Sequence, residues 1–359
     1  MSVLTLKVLI VTLTAFAVEK FAVAKVYVIA YEGCYAGSLS NPQDLYMVAN
    51  AHWREQYQGR EGEFEWQTLS LGGEPVVTAS HLKIAVDGPF VDLETGSIIV
   101  VPAMAYPGGR ELNKKLESLS EIINWLVKQY ANNCIICTHC TGSFILAESG
   151  LLNGHSATTS WWLAEQFRQR YPEITLKADQ LVVDEGRLLT GGANGAEMLA
   201  ALIMVERYMG RAVASQCART LLVDTNLTQQ APYLILPRQK QHSDSLMLEI
   251  QDYLEKNLSD GFSLERLAQR FCISSRTLMR RFKEAVGDTP NSYLQNLRIE
   301  AAKKLFEATS LSTDAVMLRI GYADTSSFTR LFQRKTGLSP RAYRMKFGLA
   351  PRGEQISSM

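Results

Sequence analysis

Apolar and polar positions alternate in blocks over the first two thirds of this chain and settle into a helical period in the last third. Residues 25–31 (KVYVIAY) and 97–102 (SIIVVP) are compact apolar runs typical of buried strands, and residues 133–137 and 180–184 read the same way. Helical patterns fall between them. Residues 41–54 place Leu45, Val48 and Ala49 on one face, with Pro42 in the first turn. Residues 116–130 are amphipathic, a helix follows Gly142 and ends at Gly150, and residues 196–208 form an apolar helix stopped by Gly210. Strands alternating with helices predict a layered α/β domain with a largely parallel sheet. Residues 227–245 lose the period and carry Gln229, Gln230, Pro232, Pro237, Gln239 and Gln241, which predicts a surface linker. Beyond Ser245 every segment is helical in pattern.

Two stretches of that helical third are alike. Residues 262–287 (FSLERLAQRFCISSRTLMRRFKEAVG) and 311–337 (LSTDAVMLRIGYADTSSFTRLFQRKTG) each hold a short amphipathic helix, a tight break and a second helix rich in arginine. This is the pattern of a helix-turn-helix, whose second helix enters the major groove. In the first copy Ser263 caps a helix with Leu264, Leu267 and Phe271 apolar. In its second helix Leu278 and Phe282 face the core, which turns Arg276, Met279, Arg280 and Lys283 outward. In the second copy Phe328 and Phe332 face inward, Ser326, Thr329 and Arg330 point outward, and Arg334 and Lys335 follow for phosphate. Gly321 sits where the turn needs positive φ. Arginine pairs bidentately with guanine, so Arg276 and Arg280 are the expected base readers of the first copy.

Charge agrees with this division. The formal net charge of the 359 residues is only +1, but residues 1–243 hold 19 Lys and Arg against 23 Asp and Glu, a net of −4. Residues 244–359 hold 18 against 13, a net of +5, so the basic excess sits with the helix-turn-helix copies, as phosphate contacts require. Six scattered cysteines suit a reducing compartment better than a disulfide scaffold. Cys134, Cys137 and Cys140 are spaced as a metal motif, but strand alternation puts Cys134 and Cys137 on opposite faces, and no metal or other cofactor is expected. Residues 8–18 are apolar and Ala22-Val23-Ala24 resembles a signal-peptidase site. Glu19 and Lys20 interrupt the run, and a DNA-binding domain has no use outside the cytoplasm. The expectation is a cytoplasmic protein with an apolar extension over residues 1–24 and no membrane span.

Cys140 is the candidate chemistry of the first two thirds. A buried strand runs into His139-Cys140-Thr141-Gly142 and a helix begins, the strand–turn–helix layout of a nucleophile elbow. The positive end of that helix favours thiolate and attracts an anion.

Residues 245–347 resemble the AraC/XylS-type DNA-binding domain. IGYADTSSFTRLFQRKTGLSPRAYR carries Gly321, Tyr322, Phe328, Arg330, Phe332, Gly337, Pro340, Tyr343 and Arg344 of that family's signature, and Pro290, Tyr293, Leu294, Arg298 and Ala302 fit its joining helix. The resemblance implies seven helices and two recognition helices about one DNA turn apart. Residues 25–235 resemble the PfpI-like, class I glutamine-amidotransferase-like fold, and more narrowly the sensor domain of GlxA-type members of the AraC family. CTGSFILAESGLLNG, ATTSWW (157–162), LLTGGANGAEMLAALIMVERYMG (188–210) and CARTLLVDTNLTQQAPY carry that likeness. Enzymes of this fold pair the elbow cysteine with a histidine where this chain has Ser160, and serine is no general base for a thiol. The resemblance therefore implies a ligand pocket with no catalytic residue. Its expected lining is Cys140, Thr141, Ser160, Trp161, Gly191 and Gly192, with Glu32, Gly33 and Cys34 after the first strand. Nitrogenous metabolites such as amino acids, betaines and carnitine are the effectors the GlxA-like group implies.

The expected fold class is therefore α/β, a flavodoxin-like three-layer parallel-sheet domain followed by an all-α double helix-turn-helix domain. Expected boundaries are an extension over 1–24, a sensor and dimerisation domain over 25–226, a linker over 227–244, a DNA-binding domain over 245–347 and a tail over 348–359. The expected function is transcription regulation by an activator that binds promoter DNA under control of a small effector, as a homodimer working with RNA polymerase. The alternative is an active cysteine hydrolase or amidohydrolase fused to a DNA-binding domain.

Overall fold

The structure, a computed structural model, describes residues 23–57, 62–106, 108–193, 195–226, 230–233, 240 and 242–348. The apolar run 8–18, nearly all of the extension 1–24 and the tail beyond Gly348 lie outside the described residues. Internal contacts divide the chain into two units. The first takes the described residues up to Thr159 with Arg170–Leu176 and Val182–Asn226, and the second takes Ser160–Gln169, Lys177–Leu181 and the described residues after Leu227.

The first unit runs β1 (Ala24–Ala30), α1 (Ala36–Gln56), β2 (Phe64–Ser70), the two-residue strands β3 (Val76–Val77), β4 (Lys83–Ile84) and β5 (Gly88–Pro89), then β6 (Ile98–Val101). There follow α2 (Gly109–Ser118), α3 (Ser120–Ala131), β7 (Ile135–His139), α4 (Gly142–Glu148) and β8 (Ser156–Ala157). After α5 (Ala164–Arg170), most of which falls in the second unit, come β9 (Thr175–Leu176), β10 (Val182–Asp184), β11 (Leu188–Gly191) and α6 (Ala196–Thr220). One seven-stranded sheet orders them β10-β11-β7-β6-β1-β2-β5. Every neighbouring pair is parallel except β10 with β11. Helices cover the sheet on both faces, so its central strand β6 is apolar throughout, with Ile98, Ile99, Val100 and Val101 all buried. The helices form two groups, α1 packed with α6 and α2 with α3 and α4. Beside β1 the winding reverses, with β2 on one side and β6 on the other, and the crevice at such a reversal opens beyond the strands' C-terminal ends.

Several boundaries differ from the periodicity. Helix α1 begins at Ala36, so Pro42 stands inside it rather than in its first turn. Residues 116–130 belong to two helices that break at Leu119, whose amide turns back to the carbonyl of Leu116. Gly210 (φ 84°, ψ 166°) leaves the helical conformation, as the sequence leads one to expect, and a second helical segment follows it directly with Val213, Ala214 and Cys217 buried, so that α6 is two helices joined at a sharp kink. The linker is not wholly a surface segment: Ala231–Tyr233 form a 3-10 turn, and the buried Gln230 donates its side-chain amide to the carbonyl of Ala178 at 2.9 Å.

The second unit carries seven helices after the linker: α7 (Ser245–Lys256), α8 (Leu264–Arg270), α9 (Ser275–Val286), α10 (Pro290–Ala308), α11 (Thr313–Arg319), α12 (Thr325–Thr336) and α13 (Pro340–Phe347). Each starts on a capping side chain that accepts a backbone N–H three residues on: Asp244, Ser263, Ser274, Thr289, Ser312, Asp324 and Ser339. The repeat is exact in spacing over its core. Leu278, Phe282, Gly287, Pro290 and Tyr293 recur fifty residues later as Phe328, Phe332, Gly337, Pro340 and Tyr343. Gly287 and Gly337 end α9 and α12 in the left-handed conformation, and Pro290 and Pro340 start the next helices. Two apolar cores result, one around Leu278 and Phe282 and one around Phe328 and Phe332.

Candidate functional site

In α9 the inward row is Leu278, Phe282 and Val286, all buried. The helical period then puts Arg276, Arg280 and Lys283 in solvent, with Met279 half-buried beside them. In α12 the buried row Phe328, Leu331 and Phe332 leaves Ser326, Arg330 and Arg334 exposed, with Thr329 and Lys335 half-buried. Each helix thus offers solvent a face of cations and small polar groups, and cations near a helix start are placed for base edges and phosphates.

Arg280 and Arg281 are neighbours with opposite fates. Arg280 is 63% exposed and pairs with Glu284, one turn on along α9. Arg281 turns back to Asp244, donating through Nη2 at 2.7 Å and through Nε at 3.0 Å. Asp244 also caps α7 by accepting from the Met247 amide at 3.2 Å. The Arg281 guanidinium, followed by that cap, holds the Asp244 carboxyl below the usual carboxylate range. This fork ties the start of α7 to the middle of α9, and residue patterning alone missed it because its partners are 37 positions apart.

In the first unit the elbow forms as the sequence leads one to expect. Strand β7 ends at His139, Cys140 takes φ 54°, and α4 begins at Gly142. Left-handed backbone is strained for a side-chain-bearing residue, so Cys140 is held by its surroundings. Its amide donates to the Gly191 carbonyl at 2.9 Å, and its carbonyl accepts from the Thr159 hydroxyl at 2.8 Å. A side chain at Gly142 would bring Cβ within 2.4 Å of Thr138 Oγ1 and 2.7 Å of the Pro102 carbonyl, so only glycine lets α4 start this close to β6 and β7. Thr141 reaches across to the loop after β6: its hydroxyl donates to the Met104 carbonyl at 2.6 Å and receives the Met104 amide at 2.8 Å. Met104 bridges to Cys34, and Ala105 donates to the Gly33 carbonyl.

Gly33, Cys34, Cys140, Thr141 and Gly191 are therefore joined through one backbone network at the C-terminal ends of β1, β6, β7 and β11. Gly192 follows in the same buried turn. Cys140 keeps only 5% of its surface. Gly191 lines no open space: an added Cβ would lie 2.8 Å from both the His139 and Ala196 Cβ atoms, so this position serves close packing. Burial raises the Cys34 thiol's pKa. Ser160, fully buried, and Trp161, half-buried, are assigned to the second unit.

His139 is committed elsewhere. Its Nε2 shares a hydrogen bond with the Ser38 hydroxyl at 2.8 Å and lies 3.8 Å from the Glu197 carboxylate. Burial holds the imidazole below its ordinary pKa against the opposing pull of Glu197. His155 faces Glu185 at 3.5 Å. Among the described residues no cluster of three His, Cys, Asp or Glu groups is placed to hold a metal, and no helix is long and apolar enough to cross a membrane.

Comparison with known proteins matches each half separately. The DJ-1/PfpI family profile matches residues 52–207, and a helix-turn-helix domain profile matches residues 267–346. The chain is 25% identical over 277 residues to the HTH-type transcriptional regulator CdhR of Pseudomonas aeruginosa, covering 77% of this chain and 80% of that protein. It is 26% identical over 287 residues to the HTH-type transcriptional regulator GbdR of the same species, covering 80% and 76%. Among solved structures, DJ-1beta of Drosophila melanogaster aligns over 56% of this chain and 99% of its own, at 21% identity and a TM-score of 0.45.

Proposed function

The chain joins a DJ-1/PfpI domain to an AraC-type helix-turn-helix domain and is a DNA-binding transcriptional regulator; we propose that α9 and α12 read promoter DNA while the α/β domain senses a small metabolite without catalysing a reaction. The observation that carries this reading is the pair of alike recognition helices, each with its apolar row buried and its cations in solvent. Arg276, Arg280 and Arg330 read bases, Met279, Ser326 and Thr329 line the contact, and Lys283, Arg334 and Lys335 meet phosphate. The effector binds at the elbow, against Gly33, Cys34, Cys140, Thr141 and Gly192. Effector binding favours the arrangement of a homodimer in which the DNA units fit their half-sites and engage RNA polymerase, so that the cytoplasmic protein activates.

The test has two arms. DNA selected from a random library by the full chain yields a bipartite site if both helices read sequence. A thermal-shift screen of the full chain against amino acids, betaines, carnitine and polyamines seeks the effector. A ligand at about a hundred times its dissociation constant stabilises by about 2.7 kcal/mol. No selected site would refute the DNA reading, and a ligand whose shift survives Cys140→Ala and Gly192→Leu unchanged would move the effector away from the elbow.

The strained backbone of Cys140 favours one rival, a working cysteine hydrolase, since strain of this kind gathers at active sites. Against it, His139 is engaged by Ser38 and Glu197. Hydrolysis of an ester or amide by the parent protein, abolished in Cys140→Ala, would establish the rival.

A further inference from the structure

The two helix-turn-helix units have separate apolar cores and share one helix. Tyr293, Leu294 and Leu297 of α10 enter the first core, and Ile299, Ala302 and Phe306 enter the second. Arg298 stands between these two sets with 7% of its surface exposed. Its Nε donates to the Leu258 carbonyl at 2.7 Å and its Nη2 to the Asp260 carbonyl at 2.7 Å, both in the segment that follows α7. The same guanidinium lies 5.3 Å from the ring centre of Tyr322, in the turn of the second helix-turn-helix. Directly beside it, a Cβ at Gly321 would fall 2.5 Å from the Ser259 carbonyl oxygen and 2.7 Å from the Ser259 Cα.

The left-handed backbone at Gly321 strains any side chain, but it does not alone exclude one. In the first helix-turn-helix the matching turn holds Cys272 in the same left-handed region at φ 54°, with its side chain exposed, whereas Gly321 has φ 79°. A side chain is thus tolerated where the turn faces solvent. It is excluded at Gly321 because the turn of the second helix-turn-helix lies directly on the backbone of the segment between α7 and α8.

We infer that this seam, Ser259 against Gly321 with Arg298 bonded beneath, sets the spacing at which the two recognition helices meet DNA, so that Arg298 and Gly321 are positioning residues for spacing specificity. The inference rests on the reading of α9 and α12 as the DNA-contacting helices. One inserted base pair moves the second element by about 3.4 Å and turns it by about 35°. A locked pair of units cannot follow that change, and one helix loses its base contacts or the DNA must distort.

The test uses the full chain and a bipartite site selected from random DNA, with one base pair inserted or removed between its two elements. The parent protein is expected to lose about 100-fold in affinity on either altered spacing, the cost of about two mismatched positions. Gly321→Ala and Arg298→Met are expected to bind the selected site within about tenfold of the parent and to reduce that discrimination below about tenfold. General weakening would lower affinity for all spacings alike and leave the ratio unmoved. Parent protein that accepts both altered spacings within about threefold overturns the inference, even if the variants fail to fold. Folded variants that keep the full ratio also overturn it. Base substitutions that matter in one element only would instead refute the premise that both helices read DNA.

Discussion

Replacing Arg280 and Arg281 one at a time separates reading from holding on a single turn of α9. Arg280→Ala removes an exposed guanidinium paired with Glu284, itself 60% exposed. Such a pair on a helix surface contributes about 0.3–0.5 kcal/mol, so folding stability should barely change. Loss of a bidentate base contact costs about 1–3 kcal/mol, roughly ten- to a hundredfold in affinity for the selected site. Arg281→Ala removes the two-pronged bond to Asp244, in which the side chains are 34% and 24% exposed. That pair lies at the upper end for surface ion pairs, about 1 kcal/mol, and its loss frees the start of α7. The assays are fluorescence anisotropy against the selected site and hydrogen exchange across α7 and α9 in the full chain. Arg280→Ala should weaken binding and leave exchange as it was, whereas Arg281→Ala should speed exchange in α7 and weaken binding less. Glu284→Gln, which frees Arg280, should tighten binding by about twofold. Equal loss of affinity from both alanine variants at unchanged exchange would refute the assigned faces, and so would Arg280→Ala binding within about twofold of the parent.

Three further outcomes follow from the same geometry. Because its folded pKa is depressed, Asp244 contributes stability that is present above its ordinary value and lost as pH falls through the folded one. The stability gap between parent and Asp244→Asn, followed by circular dichroism, should therefore shrink as pH falls through and below the ordinary carboxylate range; a gap independent of pH would exclude the charge as its source. Gly142→Ala forces Cβ against Thr138 and the Pro102 carbonyl and should destabilise the first unit by about 1–3 kcal/mol or more, while Gly88→Ala, where an added Cβ meets nothing within 4 Å, should not; calorimetry of the full chain compares them. Phe332→Ala, in the core around α12, should cost about 3–5 kcal/mol and remove protection of α12 before that of α9 in hydrogen exchange, as two separate cores require.

Local chemistry determined much of this protein. The alternation of apolar and polar residues announced both helix-turn-helix units, because four-residue spacing of Leu278 with Phe282 and of Phe328 with Phe332 selects one buried face whatever lies opposite. It also announced the elbow at Cys140, since an apolar strand followed by Thr141-Gly142 and a helix needs no distant partner to be recognised. Strand β2 and the helical segment after Gly210 escaped it: FEWQTLS mixes buried and exposed positions, and Gly210 ends one helix without showing that another starts directly beyond the kink. Tertiary structure decided whatever depends on partners far along the chain. The spacing of Leu278 and Phe282 leaves Arg281 off the outward face, but only the folded chain shows that Asp244, 37 residues away, claims it. His139 adjoins the cysteine in sequence, yet its ring belongs to Ser38, 101 residues away. Gly321 reads as a turn glycine, and only the Ser259 backbone lying against it shows what the missing side chain makes possible. Periodicity encodes which face of an element is buried, but what it is buried against is settled only when the folded chain brings distant segments into contact.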